Sequence, residues 1–180
     1  MTKSMRFIGL WIFLFPLIIN GQKQYEFTID SSRILDNKNL DDFSRSLKTG
    51  NFYVYKTKDS IPAFIMTQLG KLANGFSIAN PNESYQCCCS STDSLPQRQL
   101  SFLAKSNDVL VLTYKTGGVG VSLHLLMIRF DKSGIVDLWS GYCWNDVKSI
   151  KDIVYFIEES KRKPLPGRKR PSIQVGVVIL

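Results

Sequence analysis

Residues 108–144 read DVLVLTYKTGGVGVSLHLLMIRFDKSGIVDLWSGYCW, and this stretch decides the fold. It divides into three runs rich in apolar and β-branched residues, separated by turn sequences at 116–118 and 131–134. The middle run, 119–130, is apolar on both alternating faces, which is typical of a central strand covered on both sides. The stretch therefore predicts an antiparallel meander of three strands, at 109–115, 119–130 and 135–144.

Helical patterns flank this meander along the chain. Apolar residues recur at helical spacing over 40–47, 61–72 and 147–157, and an aromatic run at 51–57 predicts a strand between the first two. A capping-box spacing at 94–97 predicts a further short helix through Leu100, Leu103 and Ala104. Together these patterns predict a mixed α+β fold. In it, the meander and a C-terminal strand at 172–180 pack against three to four helices, and that last strand pairs with a sheet edge.

The first 21 residues have the pattern of a secretory signal peptide. Lys3 and Arg6 precede an apolar run at 7–19, and Gly21 offers a small residue for cleavage. As a helix this run rises about 20 Å, which is shorter than the roughly 30 Å hydrocarbon core of a bilayer. We therefore expect an exported chain, periplasmic or extracellular, whose residues 22–180 form a single domain. The alternative is that the segment stays attached as an N-terminal anchor.

The composition excludes several classes of protein. The chain has 180 residues, of which 44% are hydrophobic and 21% charged, so it is neither disordered nor low-complexity, and four cysteines are too few for a disulfide-dense scaffold. Lys and Arg total 23 against 15 for Asp and Glu, giving a formal net charge of +8. Six of the basic residues lie together with no acid among them, and these are Lys161, Arg162, Lys163, Arg168, Lys169 and Arg170.

This basic stretch, 161–170, contains Pro164 and Pro166, so it predicts an irregular connector. One interpretation is a solvated linker. The other is a contact for an anionic partner such as lipid headgroups or an envelope polysaccharide. Nucleic acid is disfavoured as the partner because the stretch lacks aromatic residues that stack on bases.

The cysteines allow several states in an oxidising compartment. Cys87, Cys88 and Cys89 are consecutive, and Cys143 is the fourth. One bridge between the triplet and Cys143 would close a loop of about 55 residues and stabilise the fold by roughly 4 kcal/mol. Buried, reduced cysteines are the alternative. A metal site that adds His124 is disfavoured because three adjacent side chains do not converge easily on one ion.

A thiol site is the catalytic alternative. If Phe130 faces Ile135 across the turn and the register continues unbroken, Cys143 lies opposite Ser122 and His124 opposite Gly141. His124, Cys143 and Asp137 would then share one face with Trp139, and a cysteine beside a histidine with an orienting carboxylate is the arrangement of a thiol nucleophile.

Two functions follow from these patterns. The preferred one is an exported, non-catalytic binding or interaction protein of the cell envelope or extracellular space, with no cofactor or metal. The alternative is a thiol-dependent hydrolase that uses Cys143, His124 and Asp137.

Overall fold

The computed structural model describes residues 27–73, 75–87, 94–118, 120–143 and 146–162. Within these residues the chain forms four helices, six strands and a short 3-10 turn at Lys58–Ser60. The helices are α1 (Ser31–Leu35), α2 (Leu40–Thr49), α3 (Ala63–Leu72) and α4 (Ile150–Arg162). The strands are β1 (Tyr53–Tyr55), β2 (Ile78–Ala79), β3 (Arg98–Lys105), β4 (Val109–Thr116), β5 (Ser122–Asp131) and β6 (Gly134–Cys143).

The strands form one sheet in the order β1-β3-β4-β5-β6, with all of these neighbours antiparallel. The short strand β2 pairs with β3 in parallel, next to β1 along the same edge. The mixed α+β prediction is therefore confirmed, as is the meander of β4, β5 and β6. The predicted strand at 172–180 and the predicted signal peptide lie outside the described residues.

The predicted short helix through Leu100, Leu103 and Ala104 is wrong, because these residues belong to β3. A bulge at Ser101 explains the misleading pattern: Leu100 pairs with Tyr114, whereas Phe102 already pairs with Thr113. The extra residue brings Leu100 and Leu103 onto the same face of the sheet. Their spacing of three residues therefore resembles a helix, although the segment pairs with β4 along its length.

The two faces of the sheet contact different helices. On one face, which we call the α2 face, the Arg129 guanidinium lies 5.4 Å from the centre of the Phe43 ring of α2. On the other, the α3 face, the Phe130 ring lies 5.9 Å from the Phe64 ring of α3. Residues 109–112 and 125–128 of the two central strands are fully buried, as expected for strands that are covered on both sides.

The register of β5 and β6 matches the prediction at the turn and departs from it beyond. Phe130 pairs with Ile135 as predicted, but Arg129 pairs with Asp137, so Val136 is an extra residue in β6. Every later pair is shifted by one: His124 lies opposite Tyr142, and Cys143 lies opposite Leu123. The predicted pairs of His124 with Gly141 and of Cys143 with Ser122 are therefore wrong, because a bulge follows the hairpin turn.

Two glycines offer a matched test of the packing. Gly117 follows β4, and a Cβ built there would overlap the carbonyl oxygen of Gln86 and the backbone of Cys87. A Cβ built on Gly70, inside α3, would meet no atom within 4 Å. The first glycine allows two backbone segments to approach closely, while the second lowers helix propensity without making room for a neighbour.

We expect Gly117→Ala to lower the free energy of unfolding by about 1–3 kcal/mol, because the chain at 86–87 must move. Gly70→Ala is the control and should raise it by about 0.5–1 kcal/mol. Urea denaturation followed by far-UV circular dichroism measures both values. Equal effects of the two substitutions would contradict the close approach at Gly117.

Candidate functional site

The single histidine of the chain is packed inside an aromatic stack. His124 of β5 is 4% exposed, and its ring lies 5.0 Å from the Tyr114 ring at an interplanar angle of 7°. On the other side the Tyr142 ring lies 4.9 Å away. The Nε2 atom is 2.9 Å from Oγ1 of Thr116, which places a hydrogen bond between them. Adjacent strands thus hold the imidazole by stacking and by one polar contact.

A buried arginine continues this arrangement across the sheet. Arg98 begins β3 and is 6% exposed; its guanidinium carbon lies 4.5 Å from the centre of the Phe76 ring and 5.8 Å from that of Tyr114. Such distances are typical of cation–π contacts, which become stronger when the cation is desolvated. We call the five side chains Phe76, Arg98, Tyr114, His124 and Tyr142 the aromatic row. The row crosses four strands on the α3 face, and its β4 and β5 members lie near the β4–β5 turn.

The electrostatics of the row keep His124 neutral. Burial, and secondarily the positive charge of Arg98, lower the pKa of His124 from 6.5 to about 4. Burial raises the pKa of the Tyr114 hydroxyl, while the nearby Arg98 opposes that increase. The row therefore carries one positive charge, on Arg98, across the neutral pH range. A histidine with this pKa is poorly suited to accept a proton from a thiol near pH 7.

The other two residues of the predicted thiol site lie on the opposite face. Cys143 and Asp137 both project to the α2 face, whereas His124 projects to the α3 face. The Asp137 carboxylate is occupied there: Oδ1 accepts from Nδ2 of Asn39 at 2.7 Å, and Oδ2 accepts from Arg33 at 3.2 Å. The predicted shared face of the three residues is therefore wrong, and its cause is the extra residue in β6.

The structure describes two of the four cysteines, so it tests the disulfide and metal predictions only in part. Cys87 is exposed and Cys143 is buried, while Cys88 and Cys89 lie outside the described residues. The disulfide between the triplet and Cys143 stays a prediction. Among the residues that the structure describes, no group of three His, Cys, Asp or Glu side chains could hold a metal ion.

Of the basic stretch 161–170, the structure describes the side chain of Lys161 only. Lys161, in the last turn of α4, donates from Nζ to the Asp41 carboxylate at 2.6 Å and lies 3.8 Å from Glu158. Its charge is therefore already partnered within the fold. The side chain of Arg162 and all of Lys163, Arg168, Lys169 and Arg170 lie outside the description, so their contact with an anionic partner stays a prediction.

A groove between α2 and α4 is the feature that the sequence reasoning missed. It is a cavity of about 690 Å³, open to solvent, and it runs along α4 from Ile150 to Glu159. Its apolar lining consists of Leu47, Phe52, Ile150, Val154 and Tyr155, and its charged lining of Lys48, Lys151, Glu158 and Glu159. We call this feature the α2–α4 groove.

Local sequence builds the groove at both walls. Gly50 ends α2, and the Phe52 ring folds back so closely that a Cβ on Gly50 would lie 2.8 Å from it. On α4, Ile153 and Ile157 are fully buried, while Tyr155 is 61% exposed. The signal available in the sequence is Tyr155 itself, an aromatic residue that lies outside the buried stripe of an amphipathic helix. The hydrophobic stripe alone does not explain its position.

No protein-family model, no curated protein and no solved structure matches this chain. In the part of the chain that the structure describes, none of the helices has the length and apolar character needed to cross a bilayer.

The neutral histidine predicts a specific pH dependence of stability. The unfolded chain binds a proton on His124 near pH 6.5, and the folded chain does so only near pH 4. The effect of His124 on the free energy of unfolding is therefore most favourable above pH 6.5. As pH falls from 6.5 to 4, preferential protonation of the unfolded chain lowers that free energy by roughly 3 kcal/mol in total. His124→Phe keeps an aromatic ring at this position but has no group that titrates, so it should remove this loss of the free energy of unfolding in acid. Urea denaturation of both proteins at pH 7.5 and 4.5 measures it, and parallel losses in the two would contradict the prediction.

The charge of Arg98 can be tested separately. We expect Arg98→Met to raise the pKa of His124, because a nearby positive charge is removed, but to leave it below 6.5 because burial remains. Since the chain has one histidine, NMR titration of its imidazole protons reads this pKa directly. Lys132→Met, in the exposed β5–β6 turn, is the control and should leave the titration unchanged. A lowered or constant pKa in Arg98→Met would disagree with the geometry.

Proposed function

We propose that this chain is an exported, non-catalytic binding protein of the cell envelope or extracellular space. The observation that carries the proposal is the α2–α4 groove, an open and largely apolar concavity with charged residues along it. Cavities of a few hundred Å³ with apolar walls and a few polar groups are the usual form of binding sites. The proposal includes the packing of the sheet against three to four helices and a further strand at 172–180.

The side chains of the groove are of the kind that bind other molecules. Tyr155 is 61% exposed and Phe52 is half-buried at the opposite wall. Aromatic residues are enriched at interfaces because they bury a large area at low cost in conformational entropy. Exposed apolar surface of this kind on a soluble protein is typical of an interaction site. A protein or an envelope component with an apolar segment suits these walls.

The geometry gives less support to a thiol hydrolase. The nucleophile and base of that hypothesis, Cys143 and His124, lie on opposite faces of the sheet, and the pKa of His124 is about 4. The aromatic row is better explained as a structural cluster, because its members at positions 98, 114 and 124 are each less than 10% exposed.

The proposal is tested by photo-cross-linking in cells that produce the chain. Benzoylphenylalanine replaces Tyr155 in the groove or, as control, Val121, which is equally exposed but lies near the β4–β5 turn at the other end of the sheet. After irradiation we expect adducts with a second molecule at position 155 and at least fivefold fewer at position 121. The adducts should be found in the envelope or medium, on a chain that starts near Gln22.

Two outcomes contradict this proposal. Equal adduct yields at positions 155 and 121 would show that the groove has no special role in binding. Recovery of the chain from the cytosol with Met1 still attached would contradict export.

A further inference from the structure

We propose that the α2–α4 groove binds the anion of a free, single-chain fatty acid. In this arrangement the alkyl chain lies along the apolar walls and the carboxylate lies at Lys151, which lines the groove in the first turn of α4. The inference rests on the proposed function, because it names the class of ligand for the same groove. All the residues that line the groove lie in the part of the chain that the structure describes.

The charges of the groove leave one cation available for a ligand. The Glu158 carboxylate lies 2.9 Å from Nζ of Lys48 and 3.8 Å from Nζ of Lys161, so it is already paired within the fold. Glu159 also has a partner. Lys151 is exposed, and it forms no hydrogen bond or ion pair with the other residues that the structure describes. The charge that a ligand can complement is therefore positive, and it calls for an anion.

The position of Lys151 sets the direction of the ligand. Lys151 precedes Glu158 by seven residues, which is about 10 Å along an α-helix. An anion beside Lys151 is thus kept away from the two glutamates, which would repel it at the other end of the groove. The carboxylate therefore lies near the start of α4, and the chain attached to it extends toward Glu158.

The walls of the groove suit an alkyl chain that runs in this direction. Tyr155 follows Lys151 by one helical turn and is 61% exposed, and Phe52 and Val154 are half-buried beside it. Contact with an alkyl chain would remove apolar surface of both molecules from water. Along α4 the groove extends from Ile150 to Glu159, about 14 Å, which is close to the length of an extended dodecyl chain. The cavity of about 690 Å³ lies in the usual size range of small-molecule sites.

The same walls suit an extended peptide less well than a fatty acid. A peptide brings backbone N–H and C=O groups, which lose free energy when they lie against apolar side chains without hydrogen-bond partners. The wall side chains at Leu47, Phe52 and Val154 offer no such partners. A fatty acid has one polar group, and that group matches the one available charge of the groove.

The carboxylate contact is tested with dodecanoate, kept below its micelle concentration, by isothermal titration calorimetry of the purified chain at pH 7.5. We expect saturable binding of one dodecanoate per chain. Lys151→Met should weaken it by about threefold to fivefold, which is the effect of losing an exposed ion pair. Lys71→Met removes an exposed lysine from α3, on the other face of the sheet, and should leave the affinity within about 1.5-fold. The absence of saturable binding, or equal effects of the two substitutions, would overturn the inference.

The preference for an anion is tested with a ligand that has the same chain and the opposite charge. Dodecyltrimethylammonium should bind the unaltered chain at least fivefold more weakly than dodecanoate does. In Lys151→Met this difference should fall at least threefold. Equal affinity of the two ligands for the unaltered chain would overturn the placement of the carboxylate at Lys151.

The position of the alkyl chain is tested separately. Tyr155→Ser removes an aromatic wall and should weaken dodecanoate binding at least fivefold. Val121→Ser, at a residue that is equally exposed near the β4–β5 turn, is the control and should change it less than twofold. Equal effects of Tyr155→Ser and Val121→Ser would place the ligand outside the groove and overturn the inference.

The inference and the proposed function can fail independently. Adducts with a protein at position 155 in cells, without dodecanoate binding by the purified chain, would leave the proposed function and overturn the fatty-acid ligand. Dodecanoate binding that depends on Lys151 and Tyr155, in a chain recovered from the cytosol with Met1 attached, would support the ligand and contradict export.

Discussion

Hydrogen bonding between β5 and β6 fixes which side chains share a face of the sheet, and one extra residue decides the outcome. Because side chains alternate along a strand, the bulge at Val136 turns over every later residue of β6 relative to an unbulged hairpin. Trp139 thereby projects to the α2 face, where its indole N–H donates to Asn37 at 2.9 Å. Leu138 and Tyr142 project to the α3 face. The bulge thus separates the polar contacts near α1 and α2 from the aromatic row.

The aromatic row shows how this sheet accommodates polar groups inside its α3 face. Arg98 carries the buried charge, and the rings of Phe76 and Tyr114 supply favourable contacts in place of water. A second positive charge on His124 would be opposed by both burial and Arg98, so the imidazole is neutral; it stacks on the Tyr114 ring and packs against the tilted ring of Tyr142. The packing of the row therefore suits a neutral imidazole, and protonation of His124 would oppose it.

Local patterns were sufficient to predict the meander and helices over 40–47, 61–72 and 147–157, because turns and apolar periodicity are properties of neighbouring residues. The structure has these helices at 40–49, 63–72 and 150–162. The two errors, β3 and the β5–β6 register, both come from bulges at Ser101 and Val136. A bulge depends on pairing with another strand and has no clear local signature. The α2–α4 groove was missed for a related reason, since its walls at Phe52 and Tyr155 are about a hundred residues apart and meet only in the folded chain.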